Sequence, residues 1–414
     1  MRLWMTIWRI FPSDMKVPAS GAIIGAEEKQ AMHEAIDKGW LTAGPINAQF
    51  EAALSHYTGI KNVRTCNSGS SANLLAVATM VESGIWKAGD EIITTAAGFP
   101  TTLNPLLLYG LIPVFVDIEL GTYNPSKPVF EGGVSALNKG TILAHTLGNP
   151  FDPKIRYGLP AMHIIEDCCD ALSSTYEDSG CNAHVGSEAS IATCSFFPAH
   201  HITTGEGGAI FTNDHKLIRV AESIRDWGRD CYCQPGQNNS CGKRFEQQHG
   251  GLPYGYDHKY TFTHLGYNLK MNEISAACGM AQMEKLPDFV KARKHNFKFL
   301  WERLEHLQDK LILPVATEGS DPSWFGFPIT LRESGMRNEM QKFLMKHGVD
   351  SRLLFGGNLT KQPYMRGRKY RISGSLENTD KVMNDAFWIG LHPQLSEEQL
   401  AYSAEMIGNF LGDL

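Results

Sequence analysis

Four groups of residues in this chain have types and spacings that can do chemistry. Cys231-Tyr232-Cys233, followed by Cys241, places three thiols in a short polar stretch. Thiolates this close can hold zinc or an iron–sulfur cluster, and spacing alone leaves the two level. Ile164-Ile165-Glu166-Asp167 closes an apolar run with two carboxylates. At the carboxyl end of a strand, such a group can hydrogen-bond a protonated pyridine nitrogen and make that ring a better electron sink; it can equally cap the next turn. Asn67 through Asn73 is a small-residue turn ahead of the apolar Leu74–Met80. Its N–H groups and hydroxyls suit an anion at the positive end of a helix, and Ser and Asn there also serve as plain caps. Finally, His200 and His201 are adjacent imidazoles; a histidine can move a proton near neutral pH, although a lone one is more often structural.

These groups need elements to position them. Glu91–Thr95, Val114–Asp117, Ile142–His145, His163–Asp167, Ile191–Phe196 and Ala209–Thr212 are short apolar or β-branched runs bounded by Gly, Pro or Asp. Helix-length segments separate them, which predicts an α/β fold with a mainly parallel sheet covered by helices on both faces. Helical patterns return at Asp288–Leu307 and Asn338–His347. The chain of 414 residues is too long for one small core. We expect a large domain over residues 16–285 and a smaller C-terminal α+β domain over 286–414. Residues 230–264, rich in Gly, Tyr, His, Asn and Gln, read as a polar insertion carrying the thiols, and an insertion this long is usually functional. Residues 1–15 read as an N-terminal extension, with Met15 an alternative start.

Composition narrows the class further. The net charge of −6 provides no basic field for nucleic acid or a membrane surface. No apolar run reaches the roughly 18 residues of a membrane span, so a cytoplasmic protein is expected. The nine cysteines, with the adjacent pair Cys168 and Cys169, favour metal or redox chemistry over disulfides in such a chain. Cys66, Cys194 and Cys278 lie in apolar or small-residue contexts and read as inert core thiols.

The run Ser195-Phe196-Phe197-Pro198-Ala199-His200-His201-Ile202-Thr203-Thr204-Gly205-Glu206-Gly207-Gly208 resembles the catalytic segment of the DegT/DnrJ/EryC1/StrS sugar aminotransferases. In that family a lysine, which carries pyridoxal phosphate covalently, occupies the place of His200. No lysine lies between Lys154 and Lys216 to substitute for it. The resemblance spans about residues 16 to 410. It implies the fold type I architecture of pyridoxal-phosphate-dependent aminotransferases and a cofactor, pyridoxamine or pyridoxal 5′-phosphate, held without a covalent bond. It makes His200 the catalytic base and His201 a packing or orienting residue. It implies phosphate contacts from Gly69, Ser70, Ser71 and Ser195, ring stacking by Phe99, and a pyridine-nitrogen partner in Asp167. Gly39 to Pro45 looks like the family's substrate-binding turn. Gly266 to Met271 resembles the segment whose asparagine, here Asn268, reaches the cofactor phosphate of a neighbouring subunit, which implies a homodimer.

Asp226-Trp227-Gly228-Arg229-Asp230-Cys231-Tyr232-Cys233, with Cys241-Gly242-Lys243-Arg244-Phe245, resembles the family's iron–sulfur dehydrase branch acting on CDP-linked 6-deoxyhexuloses. That branch combines the histidine-for-lysine change with a [2Fe-2S] cluster on four cysteines, the fourth just after the pyridine-nitrogen aspartate. Cys169 is the match, with Cys168 and Cys181 as alternatives, because Tyr176–His184 looks like a local insertion that lengthens the spacing. Cys169 is two residues from Asp167, at most about 7 Å of backbone, so an electron path from cluster to ring is feasible. The branch implies loss of the C3 hydroxyl from a nucleotide-linked 4-keto-6-deoxyhexose, with electrons from a flavin-containing iron–sulfur reductase, on the way to 3,6-dideoxyhexoses of surface polysaccharide. Arg352 suits a diphosphate contact or a surface ion pair. The other readings are a metal-free or dTDP-sugar 3-dehydratase of the same family, with zinc or nothing on the thiols, and a non-catalytic sensor that retains the cofactor.

Overall fold

A computed structural model describes residues 15–157, 163–178, 181–231, 233 and 239–412, without the side chains of Tyr157, Asp178 and Cys181. The extension 1–14 lies outside the described residues, as does the side chain of Cys181.

Among the described residues, nine strands form the first half of the chain: β1 Asn62–Cys66, β2 Glu91–Thr95, β3 Ile112–Val116, β4 Asn138–Ala144, β5 His163–Asp167, β6 Thr175–Asp178, β7 Cys181–His184, β8 Ile191–Ser195 and β9 Gly208–Thr212. Six more follow: β10 Leu311–Ile312, β11 Ser320–Asp321, β12 Gly326–Leu331, β13 Ser351–Arg352, β14 Arg371–Ile372 and β15 Ala386–Gly390. The main sheet has the order β1-β9-β8-β5-β4-β2-β3-β14. From β8 to β14 its pairs are parallel, and β9 alone runs against both neighbours. β2, β8 and β9 are buried along their whole length, as strands covered on both faces must be.

All six expected strands are present: Glu91–Thr95 and His163–Asp167 match end for end, and the ends of the other four move by at most four residues. The expectation missed β1, whose Asn-Val-Arg-Thr-Cys shows little apolar content, and β14, only two residues long. Tyr176–His184, read as an insertion, falls in a hairpin of β6 and β7 that joins β11 in a separate three-stranded sheet.

A second sheet, β10-β12-β15-β13, builds the C-terminal region, with its own apolar core around Phe327, Ile329, Phe387 and Leu400. The helix Glu273–Leu304 joins the two regions without a break, so the expected boundary at 285–286 falls inside it. β14 returns from the C-terminal region to extend the main sheet. Among the described residues of 230–264, regular structure is limited to one turn of 3-10 helix at His258–Tyr260. No helix of the described residues is long and apolar enough to cross a membrane.

Candidate active site

The carboxyl ends of β5 and β8 and the start of the helix Gly69–Glu82 converge on one cavity of about 560 Å³. Ser68, Gly69, Ser70, Phe99, Asp167, Cys169, Asp170, Ser195, His200, Phe325 and Arg352 are among the residues lining it. A larger cavity of about 840 Å³, lined by Lys361, Arg366, Arg368, Lys369 and Arg371, shares none of them.

Ser68 caps the helix, its hydroxyl accepting from the Ser71 N–H at 3.0 Å. The N–H groups of Gly69 and Ser70, ahead of the capped Ser71, have no helical acceptor and can face an anion. Gly69 is required by close approach: a Cβ there would stand 2.4 Å from that of Ser195. The bare backbone leaves a cradle between the helix start and the end of β8 that suits a phosphate. Ser71 turns its hydroxyl to Ser68, 3.0 Å away, so Ser68 rather than Ser71 faces the cavity, which the sequence reading had not singled out.

Asp167 is buried at the other side of the cavity. Its Oδ2 accepts from Asn73 Nδ2 and Thr102 Oγ1, both at 2.7 Å, and its Oδ1 from the Cys169 N–H at 3.1 Å. Thr193 in turn donates to Asn73 at 2.6 Å. A carboxylate has roughly four acceptor positions, so one remains for a pyridinium N–H. Behind it, Glu166 meets His145 Nε2 at 3.0 Å and Arg156 at 2.6 Å. Burial would raise its pKa, but the Arg156 charge and the His145 bond hold the carboxyl down at about 2. Phe99, half-exposed, precedes the helix Pro100–Leu108 and stands edge-on to Phe355, with ring centroids 6.3 Å apart.

His200 lies in the loop between β8 and β9, and its ring faces the cavity. The loop is pinned at its base, where the Phe196 N–H donates to the Gly207 carbonyl at 2.8 Å and that of Thr204 to the Phe196 carbonyl at 3.0 Å. Arg293, buried on the helix Glu273–Leu304, holds its tip by donating to the carbonyls of Ala199 and His200, each at 3.3 Å. His200 Nδ1 is 3.2 Å from Asp170 Oδ1, at ion-pair distance, and its ring packs on Phe325 with centroids 5.2 Å apart. Asp170 was not among the residues expected to act; the signal was available, since it lies three residues beyond Asp167 in Glu166-Asp167-Cys168-Cys169-Asp170. His201 points the other way, into a buried contact with Ser323 Oγ at 2.8 Å, and burial drives its pKa well below the imidazole range. No lysine lines this cavity among the described residues.

The remaining expected residues stand elsewhere. Asn268 is exposed and bridges Asp226, away from the cavity of its own chain. Cys231, Cys233 and Cys241 gather around a residue the sequence reading overlooked, His258, whose Nε2 lies 3.5, 3.9 and 3.8 Å from their sulfurs. Although burial works against it, hydrogen bonds from Ser240 and Cys241 bring the Cys233 thiol down to about 7, a thiolate-prone value. The donors that all lie close to one another are Cys231, Cys233 and His258; Cys241 and Cys169 are outside that set. Cys169 lines the cofactor cavity, where burial and the charge of Asp167 push its thiol well up. Cys66, Cys194 and Cys278 are buried, with thiols raised by burial, those of Cys66 and Cys278 to about 12 and 11.

A mainly parallel sheet whose strand ends, helix start and fixed carboxylate enclose one cavity defines a fold type I, pyridoxal-phosphate-dependent, aminotransferase-like protein. The chain belongs to the DegT/DnrJ/EryC1/StrS aminotransferase family, whose pattern matches residues 22–407. It is 52% identical over 408 residues to the lipopolysaccharide biosynthesis protein RfbH of Salmonella typhimurium, covering 96% of this chain and 92% of that one. It is 43% identical over 401 residues to the dTDP-4-dehydro-2,6-dideoxy-D-glucose 3-dehydratase of Saccharopolyspora spinosa, with 95% and 86% covered. Among solved structures, the E. coli GDP-4-keto-6-deoxy-D-mannose-3-dehydratase with bound hydrated PLP superposes with a TM-score of 0.85 at 26% identity, over 95% of this chain and 99% of that one.

Proposed function

We propose that the protein is a 3-dehydratase of a nucleotide-linked 4-keto-6-deoxyhexose, CDP-linked, working with non-covalently held pyridoxamine phosphate. The observation that carries this reading is the histidine inside the cofactor cavity where the family's lysine belongs. The cofactor, when bound, supplies the amine that engages the sugar's C4 ketone and the ring that accepts electrons. The first turn of the helix Gly69–Glu82 and Ser195 hold its phosphate, Phe99 covers the ring face, and Asp167 keeps the ring nitrogen protonated. Asp170 takes His200 Nδ1, leaving Nε2 to move a proton at the cofactor's C4′ carbon, with the C3 hydroxyl of the sugar departing as water. Phe325 and Phe197 screen that imidazole from solvent. Lacking an amine at this position, the protein has no ready route to ordinary transamination.

The convergence of Cys231, Cys233 and Cys241 supports the second part of the proposal, a [2Fe-2S] centre of the family's iron–sulfur branch. A bound cluster supplies single electrons, drawn from a flavin-containing iron–sulfur reductase, for net deoxygenation at C3. Cys231, Cys233 and Cys241 would hold it with Cys169 as the fourth thiol, the set that the branch resemblance implies, and His258 Nε2 stands 3.5–3.9 Å from the first three. The relatives' sugars and the polysaccharide name of the Salmonella protein support a place in cytoplasmic 3,6-dideoxyhexose formation, with Asn268 completing the cofactor site of a partner in a homodimer.

Anaerobically purified protein is to be analysed for iron, sulfide and cofactor, then incubated with CDP- and dTDP-linked 4-keto-6-deoxyhexoses. We expect consumption of the CDP-sugar with loss of the C3 oxygen, and loss of turnover in His200→Asn. A product aminated at C4, or turnover unchanged in His200→Asn, would overturn the reading. A preference for the dTDP sugar would overturn only the nucleotide assignment.

A further inference from the structure

The geometry points to Arg293 as a positioning residue for proton transfer, one that sets where the His200 imidazole stands in the cofactor cavity. This rests on the role of His200 given above. Arg293 lies on the inward stripe of the helix Glu273–Leu304, in series with the buried Leu286, Phe289 and Leu300. That spacing calls for an apolar side chain, yet the position holds a guanidinium that is 1% exposed. Among the described residues it makes no ion pair, and the carboxylate whose charge favours it, Asp170, stands at ion-pair distance from His200 instead. Burial pulls its pKa down to about 10, which leaves it charged at neutral pH. Its charge also opposes protonation of two neighbours, His201 and His392. A buried, unpaired cation among imidazoles works against stability. Where a local rule is broken without a gain in packing, the reason is to be sought in function.

Arg293 holds carbonyls rather than a carboxylate. One arm of its fork, Nη2, donates to Ala199 and His200, each at 3.3 Å. The other, Nη1, donates to Phe325 at 2.9 Å and to Trp324 at 3.4 Å. The first pair of carbonyls belongs to the backbone that carries the imidazole. The second belongs to the backbone that carries the Phe325 ring, on which the imidazole packs with centroids 5.2 Å apart. Phe325 is fixed independently, its N–H donating to the Leu147 carbonyl at 2.7 Å and its ring edge-on to Trp388. The anchor of the imidazole and the wall it rests on are thus referred to one planar group. A lysine does not reproduce this, because it carries a single nitrogen on a flexible stem. Displacing a reacting group by about 1 Å can cost roughly 10²-fold in rate, so the hold matters to chemistry as well as to folding.

The test compares full-length Arg293→Lys, Arg293→Ala and His200→Asn with the parent. Deuterium exchange at C4′ of bound pyridoxamine phosphate reads the proton step. Nitrogen-15 histidine NMR of the cofactor-free protein reads the imidazole itself, the His200 signal being the one missing from His200→Asn. In Arg293→Lys we expect exchange slowed by roughly 10–100-fold and a displaced or broadened His200 signal, with the Kd for pyridoxamine phosphate within about twofold of the parent's. In Arg293→Ala, millimolar guanidinium chloride is expected to restore both readouts where sodium chloride of equal strength does not. Parental exchange and an unmoved His200 signal in Arg293→Lys overturn the inference. So does slowing matched by an equal loss of cofactor affinity, which marks a purely structural role. Should the alanine variant fail to fold, the lysine variant decides. Exchange that persists in His200→Asn overturns the role of His200 and the inference with it, whereas exchange lost there but retained in Arg293→Lys overturns the inference alone.

Discussion

His200 shows what one imidazole needs from its neighbours. In the proposed role its proton transfer depends on which ring nitrogen faces the cofactor, and Asp170, at ion-pair distance of 3.2 Å from Nδ1, is placed to bias that choice. Asp170→Asn should therefore lower kcat, by less than the roughly 10²–10⁴-fold that a general base contributes, with KM little changed and the pH–rate profile displaced. Steady-state rates across pH check this; an unaltered profile with full kcat would remove Asp170 from the mechanism. His200 itself was legible in the sequence because it interrupts a long, specific run. Asp170 was legible only in part: its place three residues beyond Asp167 marked a carboxylate near the site, but not which ring it would meet. His258 was hidden for a related reason: nothing local in a polar stretch says that residue 258 folds back onto residue 231.

At the scale of single elements, the cradle at the start of the helix Gly69–Glu82 depends on an absent side chain. Gly69→Ala forces a methyl to within 2.4 Å of Ser195 Cβ, so either the helix start or the end of β8 must move. Overpacking of this kind costs about 1–3 kcal/mol. We expect cofactor affinity to fall by about tenfold or more, since each 1.4 kcal/mol is a factor of ten. Titration of the apo-protein with pyridoxamine phosphate by fluorescence measures it, and an unchanged Kd would contradict the cradle. The strands framing this cradle were readable where apolar residues run together, as in β5 and β8. β1 escaped because it lies toward the edge of the sheet, where Asn62 and Arg64 remain partly exposed and dilute the apolar pattern. β14 is fixed by its parallel pairing with β3, a long-range contact that two residues cannot announce.

At the scale of the whole molecule, buried imidazoles set an acid limit. Burial and the Arg293 charge bring His392 down to about 4 and His201 well below its usual range. Both fold neutral, whereas the unfolded chain protonates near pH 6.5. Stability is thus intact above that pH and is lost as pH falls toward 4, by roughly 3 kcal/mol for His392 alone. Tm should drop between about pH 7 and pH 5 and drop less in His392→Asn; equal slopes would show that other groups dominate. The proposed dimer makes a separate prediction. His200→Asn and Asn268→Ala chains, each inactive alone, should regain roughly a quarter of parental activity when co-expressed, because half the pairs are mixed and each of those retains one complete site. Absence of complementation would confine Asn268 to its own subunit. The mainly parallel sheet was legible from the spacing of apolar runs, and the helix Glu273–Leu304 runs on from it into the C-terminal region without a break in the pattern.

That helix has a mechanical role. Its first residue, Glu273, accepts the backbone N–H groups of Gly44, Ile46 and Asn47, each at 2.8 Å, and so grips the turn around Trp40 and Leu41. Midway along, Arg293 grips the loop of His200, and the far end, at Leu300 and Leu304, is embedded in the core beneath the C-terminal sheet. One continuous helix therefore ties the Gly44 turn, the loop of His200 and the C-terminal core into a single frame. The Gly44 turn and the proton-handling group thus share one support.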